Sequence, residues 1–268
     1  QQGMLNNLIF GLDHKIYGSS SINGGEIQRV DAPQAGAAVS VRGRDFRFDP
    51  VTLAFEAISG AVQFGNTFDD WGNRFLCSES HPLLHPVLPA DALARNPFLA
   101  VPTAIDDIVG GSVPIFRISP IERWRQIRSS RRIAHGERSA DSAGASHHVI
   151  DAAAGVTVYR GGAYPESFRG QVFVADAQNN LIHRRTLIPN GLTFRSDRAD
   201  AGSPTEFVRS SDTWFRPVNF LNAPDGALFV LDMSREVLES IHIPDDVVPF
   251  LDLRRGRDQG RIYRIAPE

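Results

Sequence analysis

The sequence is poor in the residues that build disulfides, metal fingers and membrane spans. Cys77 is the only cysteine, so an internal disulfide is excluded, and no CxxC, CxxCH or zinc-finger spacing exists. No apolar run approaches the ~20 residues that cross a bilayer as a helix. Lys15 is the only lysine, so nearly all of the positive charge is arginine. Noncovalent packing, with arginine as the main cation, must therefore hold the chain together.

Charge and composition are ordinary for a globular protein of this length. Of the 268 residues, 42% are hydrophobic and 22% are charged, and the net charge is −3. This balance gives no reason to expect nucleic acid as a partner. The first residues, Gln1 to Asn6, do not form a signal peptide and are typical of the middle of a domain. We therefore expect a processed or fragmentary chain.

A short unit recurs along the chain. Each copy has a turn containing Asp, usually with Gly, followed by a short apolar run that ends in small or acidic residues. Asp caps such a turn with its side chain, and Gly adopts its positive φ without strain. The copies are residues 11–17 (GLDHKIY), 68–75 (FDDWGNRF), 168–176 (FRGQVFVAD) and 224–232 (PDGALFVLD). The apolar run of each copy is predicted to be a buried strand.

A second recurrent pattern predicts half-exposed strands. It alternates apolar and polar residues at residues 26–30, 114–118, 181–185 and 261–265. Asp13 and Asp70 are 57 residues apart, and Gly170 and Gly226 are 56 apart, which suits repeated blades of a few strands each. The prediction is an all-β propeller, with about four to five blades here and six in the full protein. Another all-β sandwich with Asp-Gly hairpins is the alternative.

One stretch departs from the repeat. Residues 119–150 are predicted to be an insertion within a single propeller domain over residues 1–268. Within it, residues 121–132 follow the Ser119-Pro120 start signal and are predicted to form a short basic helix. Its arginines could contact an acidic partner or form a solvated face.

Three stretches of the chain resemble one known family. They are residues 7–18, 48–80 and 158–229, which include the segments QFGNTFDDWGN and WFRPV. The segment GRIYR, at residues 260–264, also resembles this family. The chain resembles the propellers of glucose/sorbosone dehydrogenases, above all the bacterial membrane-bound dehydrogenase domains. The resemblance implies an oxidoreductase that acts on a sugar or other alcohol at the top face. It also implies pyrroloquinoline quinone (PQQ) and calcium as cofactors, a periplasmic or extracytoplasmic location, and a haem-containing domain or subunit elsewhere.

The cofactor positions of this family are matched only in part. Arg216 matches one cofactor-binding arginine, whereas Trp214 and Gln178 stand where relatives have an arginine and a lysine. Ala61 also stands at a cationic position. The catalytic histidine would lie near Gly3, where the sequence has none. A tricarboxylate needs several cationic partners, so PQQ binding in the familiar manner is in question.

The best remaining candidates for chemistry lie close together in sequence. His81 and His85 are predicted metal ligands, and Glu79 beside them could be a third ligand or a base. His81 and Glu79 are the predicted catalytic residues, and Arg216, with Trp214 and Gln178, is the predicted cofactor clamp. The alternative is that the histidines are ordinary loop residues and Arg216 is structural. A non-catalytic binding or assembly propeller is then the competing function.

Overall fold

The computed structural model describes residues 4–32, 34, 36–136, 148–238 and 243–268. Within these ranges the chain forms four antiparallel sheets in which consecutive strands are neighbours. Blade 1 contains β1 (Asn6–Phe10), β2 (Ile16–Ser19), β5 (Asp45–Phe48) and β6 (Phe55–Ile58), with a small hairpin of β3 (Glu26–Ile27) and β4 (Val39–Ser40) between them. Blade 2 contains β7 (Phe64–Phe68), β8 (Arg74–Ser78), β9 (His81–Pro86) and β10 (Ile105–Asp107), with α1 (Ala90–Ala94) between the last two.

The second half of the chain repeats this architecture. Blade 3 contains β11 (Ala153–Val158), β12 (Val172–Asp176), β13 (Leu181–Asn190) and β14 (Thr193–Arg198), and β15 (Val208–Arg209) also pairs with β13. Blade 4 contains β16 (Pro217–Asn222), β17 (Leu228–Asp232) and β18 (Arg261–Ile265). The helix α2 (Arg123–Ala134) precedes blade 3. The fold is a β-propeller arrangement of four blades, as the sequence predicts.

The hydrophobic core lies between blades. One buried cluster joins Phe75 and Leu83 of blade 2 to Val156 and Val174 of blade 3. A second cluster joins Phe173 of blade 3 to residues of blade 4 such as Leu228. The first strands of successive blades, β1, β7, β11 and β16, contact one another in that order. Each sheet thus buries its apolar faces against its neighbours, and its first strand lies innermost.

All four copies of the predicted repeat have the same place in a blade. Each contains the turn between the first and second strands and leads into β2, β8, β12 or β17. The turn chemistry is as expected: Asp69 Oδ1 accepts the Asn73 N–H at 2.8 Å, and Asp225 Oδ1 accepts the Ala227 N–H at 3.0 Å. Gly226 adopts a φ of 81°, which disfavours any residue with a Cβ.

The second predicted repeat forms blade strands in only two of its four copies. Residues 181–185 and 261–265 are the third strands of blades 3 and 4. Residues 26–30 contain only the two-residue strand β3, which lies outside the blade sheets. Residues 114–118 make a single bridge, Pro114 to Val149, because their hydrogen bonds go to a short segment instead of a blade neighbour.

The predicted basic helix is present as α2, but it is not a solvated face. Arg125 and Arg128 are buried, with only 1% and 8% of their surface exposed. Arg131 does lie outside, where it pairs with Asp246. Residues 137–147 of the predicted insertion lie outside the described part of the chain. No helix within the described ranges has the length and apolar character needed to cross a membrane.

We predict that Gly155→Ala destabilises the protein by about 1–3 kcal/mol, as overpacking does in well-packed interiors. Gly155 lies on β11 where it meets blade 4, and an added Cβ would lie 2.5 Å from the Val218 carbonyl oxygen. The backbone must shift to accept it. Chemical denaturation of both proteins measures the change. Gly162→Ala is the matched control, because nothing lies within 4 Å of its added Cβ. Equal stability of the two variants would contradict this account of blade packing.

Candidate functional site: a neutral cavity between the four blades

A cavity of about 520 Å³ lies where the four blades converge. Every blade contributes to it from the same two places. The first is the start of its innermost strand, which supplies Asn6 and Asn7, Gln63 and Phe64, Ala152 and Ala154, and Val218 and Asn219. The second is the end of its second strand, which supplies Ser21, Glu79, Gln178 and Met233. The internal repeat of the sequence therefore builds the site directly.

The wall of this central cavity is mainly apolar, and nearly all of its polar side chains are uncharged. Its polar groups are the amides of Asn6, Asn7, Gln63, Gln178 and Asn219 and the Ser21 hydroxyl. Among the described residues that line the cavity, Glu79 is the only ionisable one, and the rest of the surface is apolar. Amides and hydroxyls both donate and accept hydrogen bonds, so such a wall suits a neutral, hydroxyl-bearing ligand.

Several of the amides are held in place by the fold. The Gln63 side-chain oxygen accepts the Glu79 N–H at 2.9 Å, which ties the two positions of blade 2 together. The Gln178 amide donates to Asp151 Oδ2 at 2.9 Å, and Asn219 Oδ1 accepts the Phe220 N–H at 2.9 Å. Each of these amides keeps further hydrogen-bonding capacity. The wall is thus preorganised before any ligand arrives.

Two buried polar atoms on the wall have no protein partner among the described residues. They are Asn7 Oδ1 and the Oγ of Ser21, a residue with 0% exposure. Both residues have a positive φ, 54° for Asn7 and 61° for Ser21, which is uncommon for residues with a Cβ. A buried polar atom without a hydrogen bond costs about 1–3 kcal/mol. Strained, unsatisfied polar groups of this kind typically mark a functional surface.

Of the residues proposed from sequence, Glu79 and Gln178 lie on this wall. Glu79 is exposed and follows β8, and Gln178 is half-buried and follows β12. The structure therefore brings together one predicted catalytic residue and one predicted cofactor residue. His81, His85, Trp214 and Arg216 are not among the residues that line the cavity.

The guanidinium of Arg216, the predicted anion clamp, is fully engaged within the protein. Its side chain is 1% exposed and forms an ion pair with Glu122 at 2.5 Å. Its other N–H groups donate to the backbone carbonyl oxygens of Ala177, Gln178, Arg235 and Glu236. All five donors of the guanidinium therefore have an acceptor in the protein, and none remains for a cofactor carboxylate.

The Arg216–Glu122 pair fastens the start of α2 to the blades. Glu122 also pairs with Arg125 at 2.9 Å, and Arg125 donates to the Gln178 carbonyl oxygen at 2.8 Å. Burial alone would raise the pKa of Glu122, but the charges of Arg125 and Arg216 outweigh it and lower that pKa. Glu122 is therefore a buried carboxylate that stabilises the fold as long as it is ionised.

Trp214 also has a structural environment. Its ring is half-buried and packs under the Arg255 guanidinium, 5.3 Å from the ring centroid. The backbone N–H of Trp214 donates to Asp212 Oδ1 at 2.8 Å, and this hydrogen bond closes the turn that leads to Arg216. The interpretation of Trp214 as a cofactor contact finds no support in this arrangement.

His81 and His85 are both on β9, where side chains four residues apart lie about 13 Å apart at the usual rise per residue. His81 is exposed and contacts Ser80. His85 is buried, packs against Phe75 and Phe194, and lies 2.9 Å from Thr193 Oγ1. Burial lowers the pKa of His85 more than nearby aspartates raise it. The two rings are too far apart to share one metal ion.

The residues of the central cavity do not fit PQQ. The cofactor has three carboxylates, and none of the described residues that line the cavity is an arginine, lysine or histidine, whereas Glu79 would repel it. Among the described residues, no group of three or more His, Cys, Asp or Glu side chains could hold a metal ion. The carbonyl of Glu79, in the segment where relatives bind calcium, already accepts the Ala153 N–H.

Sequence reasoning missed Asn6, Asn7, Ser21, Gln63 and Asn219. Their signal was positional: each lies at the start of a blade's first strand or just beyond its second strand. The repeat register could have identified them, because the matching positions of every blade converge on one axis. Residue type alone could not, since asparagine, glutamine and serine are common in loops.

We predict that Arg216→Ala lowers the free energy of unfolding by about 3–5 kcal/mol, because Glu122 would lose one of its two arginine partners and the backbone carbonyl oxygens that accept from Arg216 would lose their donor. The wild-type protein should also lose stability as the pH falls below 4.5, the ordinary pKa of Glu122, because its lowered pKa makes the ionised form the stabilising one. Urea denaturation over a pH series measures both effects. Arg95→Ala is the control: its partner Asp91 is exposed, and the loss should stay below about 1 kcal/mol. If Arg216→Ala were as stable as Arg95→Ala, the ion pair of Arg216 would not stabilise the fold, and Arg216 would again be a candidate ligand-binding residue.

Comparison with known proteins places the chain in a family. No protein with a curated description matches the sequence. Among solved structures, an aldose sugar dehydrogenase from Streptomyces coelicolor in a PQQ-bound form is similar over 99% of this chain and 63% of that chain, with 14% identity and a TM-score of 0.43. A protein provisionally described as an oxidoreductase (glucose dehydrogenase) from Thermus thermophilus is similar over 96% of this chain and 63% of that chain, with 16% identity and a TM-score of 0.43.

The chain thus spans less than two thirds of the length of these structures. At such identities and TM-scores, the likeness carries no argument about the site or its activity. The family assignment comes instead from a family model that matches residues 1–268. The chain belongs to the family described as DUF7133, a domain of unknown function.

Proposed function

We propose that this propeller binds an uncharged, hydroxyl-rich ligand, a sugar or polyol, in the central cavity. The observation that carries the proposal is the presence of five amides and one hydroxyl, with no cationic side chain, among the described residues of the wall. Sugar hydroxyls donate and accept hydrogen bonds, as amides do, and the apolar part of the wall suits the C–H faces of a sugar ring. The volume of about 520 Å³ lies within the range of small-ligand sites.

The two unpartnered atoms on the wall support the same ligand chemistry. Asn7 Oδ1 needs a donor, and the Ser21 hydroxyl can donate or accept. A single hydroxyl group on the ligand can satisfy either atom. A carboxylate or phosphate could not satisfy Asn7 Oδ1, because both would be acceptors. Because Glu79 would also repel such an anionic group, the proposal favours neutral over acidic sugars.

We predict that Ala154→Trp abolishes binding of neutral sugars or polyols, because the indole fills the cavity without removing a polar group. Isothermal titration calorimetry against a panel of mono- and disaccharides and polyols measures this. The control is Ala201→Trp, at an exposed turn. Ser21→Ala should weaken binding by about 3–10-fold, which corresponds to one net hydrogen bond, with no loss of stability, since its hydroxyl has no partner in the protein. No binding to wild-type protein, or equal binding to Ala154→Trp, would overturn the proposal.

An oxidoreductase acting on the bound alcohol is the second candidate function. The sequence resemblance supports it, and so does the position of Glu79, the only lining residue that could act as a base on a ligand hydroxyl. The electron acceptor would have to be something other than PQQ held by cationic side chains in this cavity. An extracytoplasmic location and a haem-containing domain or subunit belong to this second candidate.

We predict for this candidate that Glu79→Gln lowers the rate of dye reduction at least 100-fold, as expected for loss of a general base, while sugar affinity changes little. A dye-linked assay with each ligand that binds measures the rate. Gln63→Glu places a second carboxylate near Glu79. In the double variant Glu79→Gln/Gln63→Glu, this new carboxylate should restore part of the rate of dye reduction. Ligand binding without dye reduction by the wild-type protein would leave the binding function intact and reject the enzymatic one.

A further inference from the structure

A second cavity, of about 450 Å³, lies against the outer strands of blade 3, and none of its lining residues lines the central cavity. It is bounded by β13 and β14 on one side and by residues 109–116 on the other. Two arginines, Arg185 and Arg198, and two serines, Ser112 and Ser196, face it. Its chemistry is thus cationic, opposite in character to the wall of the central cavity.

Arg185 is a buried cation that has no carboxylate within ion-pair distance in the described part of the chain. The residue is 6% exposed. Its guanidinium donates to the side chain and carbonyl of Ser196 and lies 3.4 Å from His183 Nε2. Two of its five N–H groups therefore have no acceptor among the described residues. An uncompensated buried charge of this kind is costly unless something else neutralises it.

Glu206, the buried carboxylate beside this site, is engaged by other groups. Glu206 is buried and is shared: it pairs with Arg198 at 2.7 Å and accepts from His183 Nδ1 at 2.7 Å and from the Phe116 N–H at 3.0 Å. Burial lowers the pKa of His183 despite Glu206, so the ring stays neutral near pH 7. Glu206 thus balances Arg198, and the charge of Arg185 remains.

One acidic residue also lines the cavity. Asp197 is exposed, and its carboxylate pairs with Arg195 at 2.7 Å. Asp197 and Asp107 attract the Arg185 charge from beyond ion-pair distance, but burial outweighs this attraction and lowers the pKa of Arg185. The cation deeper in the cavity is Arg185, and Ser112 is exposed at the mouth, where its hydroxyl can add a donor. Arg198 is held by its stacking on Phe116 and by its ion pair with Glu206. It therefore contributes to the positive electrostatic potential of the cavity more than it offers free hydrogen-bond donors.

We propose that this blade 3 cavity binds a small oxyanion, the carboxylate or phosphate group of a ligand, on the free N–H groups of Arg185. A guanidinium gives such groups short, charge-assisted hydrogen bonds, which neutral ligands cannot match. The ligand would also give Arg185 a directly contacting negative charge, whereas Asp107 and Asp197 act on it only from beyond ion-pair distance among the described residues. This site is independent of sugar binding in the central cavity, since the two walls share no residue.

The test is thermal denaturation in inorganic phosphate, acetate or chloride at equal ionic strength. Phosphate or acetate should raise the Tm of the wild-type protein by about 2 °C or more above chloride, as for any ligand that binds only the folded state. The anion that raises the Tm shows whether the cavity binds a phosphate or a carboxylate group. Arg185→Gln should lose the effect, whereas Arg95→Gln, at an exposed ion pair, should keep it. No stabilisation of the wild type beyond chloride, or equal stabilisation of Arg185→Gln, overturns the proposal.

A second variant avoids the buried core. Ser112→Glu places a carboxylate at the mouth of the cavity on an exposed residue, so folding should not change. It should reduce phosphate or acetate affinity at least tenfold by repulsion, as titration followed by the backbone amide shifts of Ser196 would show. Ser211→Glu, at another exposed serine, is the matched control and should bind as the wild type does. Unchanged affinity in Ser112→Glu would place the anion elsewhere and reject this site.

Discussion

The packing of each blade on the next through its inner strand is the constraint on which the rest of the molecule depends. The apolar side chains of the blades meet in clusters between the sheets, such as the one that joins Phe75 to Val156. The blades must approach closely for this, and at Gly155 the approach leaves no room for a Cβ. The innermost strands then converge on an axis that their own side chains do not fill, and the central cavity is the result.

The same constraint explains why an arginine-rich sequence produces a neutral cavity. Arginines near the blade junctions are used to join elements: Arg74 pairs with Asp45 at 2.8 Å and also contacts Asn66 and Ser59, which links blades 1 and 2. Arg216 joins α2 to the ends of β12 and β17 in the same way. Buried guanidinium groups need acceptors on every side. Once the fold has satisfied them, they are no longer available to bind a ligand.

The fold was predictable from the sequence because turn chemistry is local. The Asp side chain and the glycine of residues 224–232 specify a hairpin whatever surrounds them, and four such copies indicate blades. The site was predictable only in part. Glu79 was identified by its place beside His81 and Gln178 by the family resemblance, whereas the partner of Arg216, Glu122, is 94 residues away in sequence and could not be identified. Sequence shows a free cation, and only the fold shows which carboxylate neutralises it.

Glu79 is where the two proposed functions of the central cavity diverge. A carboxylate on an otherwise neutral wall can accept hydrogen bonds from two ligand hydroxyls, or it can remove a proton from one of them. Proton removal alone does not oxidise an alcohol; a hydride or electron acceptor must lie against the same carbon. The described lining residues include no cation to hold an anionic acceptor beside the ligand. Recognition of a hydroxyl-rich ligand therefore needs only residues that the structure describes, whereas oxidation also needs an acceptor that these residues do not supply, and binding is for this reason our first proposal.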